Sequence, residues 1–296
     1  MISGISAPGA ASRCVASDSH VTNDADQEMI LLDGALAPDT FHANLGGGEV
    51  VAYTCRAPDK DSENEDSVAV ISSGHDAAVL VVADGAGGLP AGRRASQTAV
   101  ASLYESLRIA RSENMLLRTA ILDGIEQANA AVLELANGSA TTMTVVTIEG
   151  RVARTYQVGD SEALISGQRG LIRSQTTPHS PTGFAVQAGF LDERAALLHA
   201  ERHIVSNFVG SNDMHIDVGA TVELKPRDTI LVASDGLTDN IHSEEIMNLM
   251  RAGPIEQALE AIVDLARERM VVEMEDQPSK PDDLSIILFL KAYPED

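Results

Sequence analysis

Two stretches of the sequence end an apolar run on the pair Asp-Gly. In VVADGAGG the acid is Asp84, and in LVASDGLTD it is Asp235. Asp and Gly favour tight turns, so one such pair predicts no more than a junction between a strand and a turn. Two pairs, each closing a run that is apolar enough for a buried strand, suggest a second hypothesis. In that hypothesis, carboxylates gathered at strand ends hold a metal ion.

Further acidic residues stand at the margin of an apolar run. They are Glu65 and Asp66 before SVAVI, Asp160 after YQVG, and Asp282 and Asp283 before LSIILFL. If two sheets pack face to face, the strand margins at one end converge on a single cleft. Carboxylates suit Mg²⁺ and Mn²⁺, and a glycine after the acid lets a main-chain carbonyl approach as well. Any one of these acids is better explained by a turn, but the set together indicates a metal site.

Absent patterns narrow the chemistry. The sequence has no Cys pair or Cys/His cluster with zinc spacing, which disfavours a zinc site. It also lacks Gly-x-x-x-x-Gly-Lys-Ser/Thr, the dinucleotide fingerprint and Gly-x-Ser-x-Gly. Nucleotide-driven chemistry and the usual hydrolase elbow therefore have no support.

The composition indicates a globular protein with an acidic surface. The chain has 296 residues, 44% of them hydrophobic, and 44 acids against 21 bases give a net charge of −23. Such a charge disfavours binding to nucleic acid. No apolar run reaches the ~18 residues of a membrane helix, and the N-terminus does not resemble a secretory signal. Together with two cysteines outside any metal-like spacing, Cys14 and Cys55, these features predict a cytoplasmic protein that does not bind membranes.

The elements that would position the acids are strands in runs, interrupted by paired helices. Short β-branched segments predict strands at VVAYT, SVAVI, AAVLVVAD, TTMTVVTI, VARTYQV, SEALIS, MHIDV, ATVEL, DTILVAS and LSIILFL. Apolar residues at helical spacing predict helices over 91–110, 114–136, 192–199, 243–250 and 255–274. This order predicts an α+β fold with mainly antiparallel sheets. Residues 1–48 predict a mostly irregular N-terminal arm, ahead of one domain over 49–292.

Six motifs, taken in order, resemble the metal-dependent protein phosphatases of the PPM (type 2C) family in their bacterial form. The motifs are NEDS (64–67), VVADGAGGLPAG (81–92), TTMTVV (141–146), VGDSEALI (158–165), LVASDGLTD (231–239) and DDLSIILF (282–289). The resemblance spans residues 50–291 and leaves the arm unmatched. Each motif alone is weak, but six in the same order are specific. The resemblance implies a central β-sandwich of two mainly antiparallel sheets flanked by pairs of helices, in α/β/β/α layers.

The same resemblance implies a catalytic site with two divalent ions, Mg²⁺ or Mn²⁺. Asp84 would bridge both ions, with the Gly85 carbonyl on one of them and Asp235 and Asp282 completing the other site. Glu65 and Asp66 would join the cluster directly or through water, and Asp160 would support a third, weaker ion. Asp282 is preferred to Asp283 because the family places its acid first. Asp84, Asp235 and Asp282 are thus the expected catalytic residues.

The activity implied is that of a serine/threonine phosphoprotein phosphatase. A hydroxide bridging the two ions would attack phosphorus, so no nucleophilic Cys or Ser is required. The expected partners are a phosphorylated protein substrate and a cognate kinase or phosphorylated regulator, with the phosphatase itself a monomer. Two alternatives stay open. One is a pseudophosphatase that acts as a regulatory binding module, and the other is a hydrolase of small phosphoesters.

The sequence departs from the family pattern at two places. Many members carry an arginine before the NED motif that holds the substrate phosphate, and here Lys60 or Arg56 would have to replace it. Some members carry a histidine after the first Asp-Gly, where this chain has Ala86. Residues 166–210 correspond to the variable flap beside the cleft, and His179 within it is a candidate for substrate contact or a solvated loop residue.

Overall fold

The computed structural model describes residues 20–24, 27–74, 76–86, 90–136, 138–274 and 277–293. The described strands, in chain order, are β1 (His20–Asp24), β2 (Gln27–Leu32), β3 (Asp39–Leu45), β4 (Gly48–Cys55), β5 (Ser67–Ser72), β6 (Ala77–Ala83), β7 (Gly85–Ala86), β8 (Ala140–Thr141), β9 (Met143–Glu149), β10 (Val152–Val158), β11 (Glu162–Ser166), β12 (Ile172–Gln175), β13 (Asp217–Val218), β14 (Val222–Glu223), β15 (Thr229–Ala233) and β16 (Leu284–Lys291). The described helices are α1 (Pro90–Ser112), α2 (Leu117–Glu134), α3 (Pro181–Gln187), α4 (Glu193–Leu197), α5 (Asp235–Thr238), α6 (Ser243–Leu249) and α7 (Ile255–Val271), with a 3₁₀ turn at Gln168–Gly170.

Two antiparallel sheets form the centre of the described structure. The first runs in the order β1-β2-β5-β6-β9-β10-β13, with β14 also paired to β10. The second runs in the order β12-β11-β15-β16-β4-β3, and β7 and β8 form a small separate ladder. The α+β class with mainly antiparallel sheets is therefore confirmed.

Three apolar layers hold the sheets and helices together. Between the sheets lie the inward side chains of both, among them Leu80, Ile165 and Phe289. Helices α1 and α2 cover the outer face of the first sheet with side chains such as Leu103 and Ile121, while α6 and α7 cover the second sheet. Strands such as β6 and β16 are therefore buried on both faces, which explains why their sequences are continuously apolar instead of alternating.

The prediction of an irregular arm is wrong where the structure describes it. Residues 20–45 contain three strands. β1 and β2 belong to the first sheet, and β3 is the edge strand of the second. β3 and β4 form a hairpin whose turn contains Gly46 and Gly47, both with positive φ. The glycines that suggested a flexible end to the arm therefore make a tight turn instead. Residues 1–19 of the predicted arm, with Cys14, lie outside the described residues, and the domain boundary at residue 49 stays a prediction.

Other elements follow the predictions closely. The helices expected over 91–110, 114–136, 243–250 and 255–274 are observed as α1, α2, α6 and α7. Helices α3 and α5 are too short to show a periodic pattern, and they were not predicted. No helix among the described residues combines the length and the apolar character that crossing a membrane requires.

Candidate metal-binding active site

Asp84 is held by its main chain at the end of β6. Its N–H donates to Oγ1 of Thr142 over 2.9 Å, and its carbonyl accepts from Oγ1 of Thr141 and from the N–H of Thr142, both at 2.8 Å. The half-buried carboxylate is left to face its acidic neighbours. Gly85 comes next, and a Cβ there would overlap the carbonyl of Gly92 and lie 2.6 Å from the carbonyl of Glu65. Only glycine fits at this position.

The loop before β5 places Asp66 in the interior. The Nδ2 of buried Asn64 donates to the carbonyl of Asp33 and to Oγ1 of Thr54, and its Oδ1 accepts from the N–H of Asp66. Asp66 itself is 1% exposed. Neither of its carboxylate oxygens accepts a hydrogen bond of good geometry from the described residues. A buried carboxylate without donors is strongly disfavoured unless a cation balances it.

Asp235 and Asp282 are brought together by neighbouring strands. Asp235 follows β15 and opens α5, while Asp282 precedes β16, which pairs with β15. The N–H of Ser234 donates to the carbonyl of Ser285 at 3.0 Å, so the two strand ends lie side by side. A Cβ on Gly236 would overlap the carbonyl oxygen of Asp283, which accounts for the glycine in the second Asp-Gly pair.

Asp282 and Asp283 have different surroundings. Oδ1 of Asp283 accepts from the N–H of Ala57 at 2.7 Å, and Oδ2 accepts from the N–H of Glu65 at 2.7 Å and from Nζ of Lys60 at 2.6 Å. Asp283 is thus fully hydrogen-bonded inside the protein. Oδ1 of Asp282 accepts from the N–H of Asp283 at 2.9 Å, and its Oδ2 faces the cleft, 3.1 Å from Nζ of Lys280.

Asp160 belongs to a turn between the two sheets. Gly159 has φ near 105° and packs against the side chain of Thr142. The N–H of Gly159 donates to Nδ1 of His179 at 3.2 Å, and its carbonyl accepts from the N–H of His179 at 3.0 Å. Oγ1 of Thr142 also bonds Oγ of Ser161 at 2.7 Å. Thr142 therefore links the turn that carries Asp160 to the strand end that carries Asp84.

Mutual repulsion and burial dominate the electrostatics of the cluster. Burial and the neighbouring Asp66 and Asp235 carboxylates raise the pKa of Asp84 well above its ordinary value. Burial and Asp283 do the same for the pKa of Asp66, and burial and Asp235 raise the pKa of Asp160. Burial, followed by Asp235, raises the pKa of Asp282 to about 6. These groups would bind a divalent cation in their charged forms and hold protons without one.

Two lysines contact the cluster, one at each side. Nζ of Lys60 lies 2.9 Å from Glu65 and 2.6 Å from Asp283. Nζ of Lys280 lies 2.6 Å from Asp235, 2.8 Å from Asp239 and 3.1 Å from Asp282. Burial lowers the pKa of Lys280, but the three carboxylates raise it by a larger amount. The net pKa therefore lies above its ordinary value. Nothing in the sequence marks Lys280 as part of the site, since the approach of residue 280 to α5 depends on tertiary packing.

The donor set of the cleft fits divalent cations. Within the cleft, the buried side-chain oxygens that lack a hydrogen-bond partner are Oδ1 and Oδ2 of Asp66, Oε1 of Glu65 and Oδ1 of Asp235. All are hard carboxylate oxygens, the type that Mg²⁺ and Mn²⁺ prefer. A bound divalent cation would satisfy these acceptors, and in its absence a proton would occupy the carboxyl group of Asp66.

Beside the cluster is a cavity of about 290 Å³ beneath the flap. Asp160, Asp235 and Asp239 line one side, and flap residues from 176–202 line the other. Arg202 also lines this cavity. Its Nη1 donates a hydrogen bond to the carbonyl of Leu197, and its Nη2 donates one to the carbonyl of Ser279. Burial raises the pKa of Glu162, which also lines the cavity, to about 7.

Both hypotheses for His179 are wrong, because its side chain is fully buried. Nδ1 accepts from the N–H of Gly159 and from Nδ2 of Asn207, so we infer that the proton resides on Nε2. Nε2 faces Oδ2 of Asp217 at 3.2 Å. Although His179, His215 and Asp217 come close enough to share a metal ion, this protonation leaves His179 without a free ligand atom. The flap histidine therefore positions the turn at Gly159.

The other close group of His and acidic side chains lies away from the cleft. His42 is paired with Glu49 at 2.9 Å and with Glu256 at 2.7 Å, and all three side chains are substantially exposed. Exposed ion pairs of this kind are common on protein surfaces and stabilise little. The acidic cleft is therefore the better candidate for a functional metal site.

Comparisons with known proteins show the family to which the chain belongs. A family model described as Protein phosphatase 2C matches residues 57–275. Protein phosphatase PhpP of Streptococcus pneumoniae is 29% identical over 216 residues, which cover 70% of this chain and 87% of that protein. The serine/threonine phosphatase stp of Listeria welshimeri is 26% identical over 202 residues, covering 64% and 78%.

A solved structure is similar in fold. It is the catalytic domain of the serine/threonine protein phosphatase PstP in complex with two manganese ions. The TM-score is 0.61 at 21% identity, and the match covers 86% of this chain and 99% of that one. The sandwich with flanking helices that the motifs implied is confirmed by this likeness.

Proposed function

The chain belongs to the protein phosphatase 2C family, and we propose on this basis that it is a metal-dependent serine/threonine phosphoprotein phosphatase acting at the acidic cleft. The observation that supports the site most directly is the group of buried carboxylate oxygens without hydrogen-bond donors, at Asp66, Glu65 and Asp235. Nothing observed favours the pseudophosphatase over the enzyme.

Each acidic residue has a distinct proposed role. Asp84 stands between the two sets of acids and would contact both ions, with the Gly85 carbonyl beside it. Asp235 and Asp282 would hold one ion, and Asp66 and Glu65 would hold the other directly or through water. When bound, two Mg²⁺ or Mn²⁺ ions supply an activated water as nucleophile and offset the charge on the phosphoryl group.

The residues that would bind the substrate lie around the cleft. We propose that the phosphoserine or phosphothreonine of a protein enters beside Asp84, with its flanking chain in the cavity under the flap. Lys60 and Arg56 are the proposed phosphate contacts. Nζ of Lys60 already bonds Glu65 and Asp283, so its help to phosphate would be that of a nearby point charge. A cognate kinase or phosphorylated regulator would be the partner. The predictions of a monomer and of a cytoplasmic location stay predictions.

The test is turnover of a phosphothreonine peptide and of an aryl phosphate by the purified chain. We expect hydrolysis with Mn²⁺, none with excess chelator, and losses of at least about 100-fold in Asp84→Asn and Asp235→Asn. Asp264→Asn, which removes an exposed carboxylate on α7, is the matched control and should keep the wild-type rate. Metal-independent turnover, or full activity in Asp84→Asn, would refute the proposed mechanism.

A further inference from the structure

The side chain of Lys280 fills a cation position inside the acidic cleft. Its ammonium group carries three N–H donors. Three carboxylate oxygens surround it, Oδ2 of Asp235 at 2.6 Å, Oδ2 of Asp239 at 2.8 Å and Oδ2 of Asp282 at 3.1 Å. The ammonium donates hydrogen bonds to Asp235 and Asp239 and forms an ion pair with Asp282. A single positive charge thus lies among three carboxylates from different residues.

The main chain around Lys280 is built to hold it there. Its N–H donates to Oδ1 of Asn240 at 2.8 Å, and its carbonyl accepts from Nδ2 of Asn240 at 2.8 Å. Asn240 is fully buried and also donates to the carbonyl of Gly236 in α5. The preceding Ser279 donates through Oγ to the carbonyl of Arg269 at 2.7 Å. These bonds fix the main chain of Lys280 beside α5, so that its side chain extends from a fixed point next to the three carboxylates.

The charge of the cleft agrees with this placement. The carboxyl groups that influence one another are those of Asp66, Asp84, Asp160, Asp235, Asp239 and Asp282. The ammonium of Lys280 places a permanent positive charge among them. A divalent ion that entered between Asp235, Asp239 and Asp282 would be repelled by this ammonium and would have to displace it.

We infer that the ammonium of Lys280 takes the place of a third divalent ion between Asp235, Asp239 and Asp282. The phosphatase would then work with two exchangeable ions and one internal cation. Oδ1 of Asp235 is buried and unpartnered, so this residue can bind an ion through one oxygen and Lys280 through the other. The position near Asp160 that the sequence analysis assigned to a third, weaker ion would instead carry the lysine. This inference rests on the proposed function, since it presupposes two ions in the cleft.

The test counts ions directly. The metal-free full chain is titrated with Mn²⁺ alone by calorimetry, and bound manganese is measured by equilibrium dialysis. We expect about two ions per chain for the wild type and about three for Lys280→Met, because the variant removes the repelling charge and exposes three carboxylates. Lys280→Arg keeps the charge and should still bind about two. Lys225→Met removes an exposed positive charge outside the cleft and should match the wild type.

Two results would overturn the inference. One is a third ion on the wild type, which decides the question even if Lys280→Met does not fold. The other is a folded Lys280→Met that binds two ions with the dissociation constants of the wild type. Failure of the proposed function would look different, since the wild type would then bind fewer than two ions or show no Mn²⁺-dependent turnover.

Discussion

The N–H of Glu65 donates a hydrogen bond of 2.7 Å to Oδ2 of Asp283, although 218 positions separate the two residues. Through this bond and the one from Ala57 to Oδ1, the start of β16 is fastened to the loop that carries Asp66. Asp283 therefore joins two acid-bearing segments of the cleft without facing it. Its neighbour Asp282 does face the cleft.

This difference predicts that two adjacent substitutions affect different properties: Asp283→Asn lowers the stability of the fold, and Asp282→Asn lowers the affinity for Mn²⁺. Asp283→Asn places an amide donor where an oxygen now accepts from a main-chain N–H or from Lys60. We expect a loss of about 1–3 kcal/mol in the free energy of unfolding of the metal-free protein. Asp282→Asn keeps the acceptor for the N–H of Asp283 and removes a repelled charge, so unfolding should change little while Mn²⁺ affinity falls at least about tenfold.

Urea denaturation in chelator and Mn²⁺ titration of both variants measure the two effects separately. The wild type and Asp264→Asn provide the baseline for each. If Asp282→Asn were the destabilised variant and Asp283→Asn the one with weak metal binding, the roles of the two residues would be reversed.

Much of this site was visible in the sequence, and what was missed has a physical cause. Asp84 and Asp235 could be recognised because each follows a buried strand, and strand ends at one end of a sandwich meet. Lys280 carries no such signal, because its position follows from the packing of buried Asn240 against residue 280. The strands before residue 46 were missed for a related reason. β2 pairs with β5, which is distant in sequence, and β3 pairs with β4 across a glycine turn. Along β3, polar and apolar residues alternate, so it lacks the continuous apolar run that marked the other strands.

The raised pKa values predict how metal-free protein responds to pH. A carboxyl group whose pKa is higher in the folded state than in the unfolded state stabilises the fold at low pH. That contribution is lost as the pH rises through the folded value. For Asp282 this window runs from about 4 to about 6, and the still more strongly shifted Asp66 and Asp84 extend it upward. We therefore expect the increase in melting temperature caused by Mn²⁺ to grow between pH 5 and pH 7.5.

The comparison is made between Mn²⁺ and chelator at each pH, so groups outside the cleft cancel. Asp84→Asn removes one of the repelling charges and should show a shallower rise in the Mn²⁺ effect. Each kcal/mol of difference corresponds to about 2–4 °C in a domain of this size. An Mn²⁺ effect that is constant over this pH range would show that proton release from these carboxyls does not accompany metal binding.

Thr142 is predicted to matter to the site although it bears no charge. Its Oγ1 accepts from the N–H of Asp84 at 2.9 Å and bonds Oγ of Ser161 at 2.7 Å. Thr142→Val keeps the shape and leaves both partners unpaired in the interior, at a cost of about 1–3 kcal/mol. Because the main chain of Asp84 loses one of its three hydrogen bonds, we also expect weaker Mn²⁺ binding.

Thr144→Val is the matched control. Thr144 lies two residues further along the chain, in β9, and donates through Oγ1 to the carbonyl of Ser161 at 2.7 Å instead of bonding the main chain of Asp84. Both variants should lose stability in urea denaturation, but only Thr142→Val should lose metal affinity in calorimetric titration. Equal Mn²⁺ dissociation constants in the two variants would mean that the hydrogen bond to Asp84 does not position its carboxylate.

The buried histidine of the flap yields the last prediction. Burial lowers the pKa of His179, an effect that Asp217 opposes and His215 adds to. A histidine whose pKa is depressed in the folded state stabilises the fold above its unfolded value, about 6.5, and that contribution is lost as the pH falls. Asn at this position offers an acceptor to the N–H of Gly159 but does not titrate. The free energy of unfolding of His179→Asn should thus fall less steeply than that of the wild type between pH 7 and pH 5. His215→Ala, which alters the exposed ring stacked on His179, should retain most of the wild-type slope, and urea denaturation at a series of pH values measures all three. Equal slopes in His179→Asn and the wild type would show that the ring takes up its proton as readily in the folded chain as in the unfolded one, contrary to the burial argument.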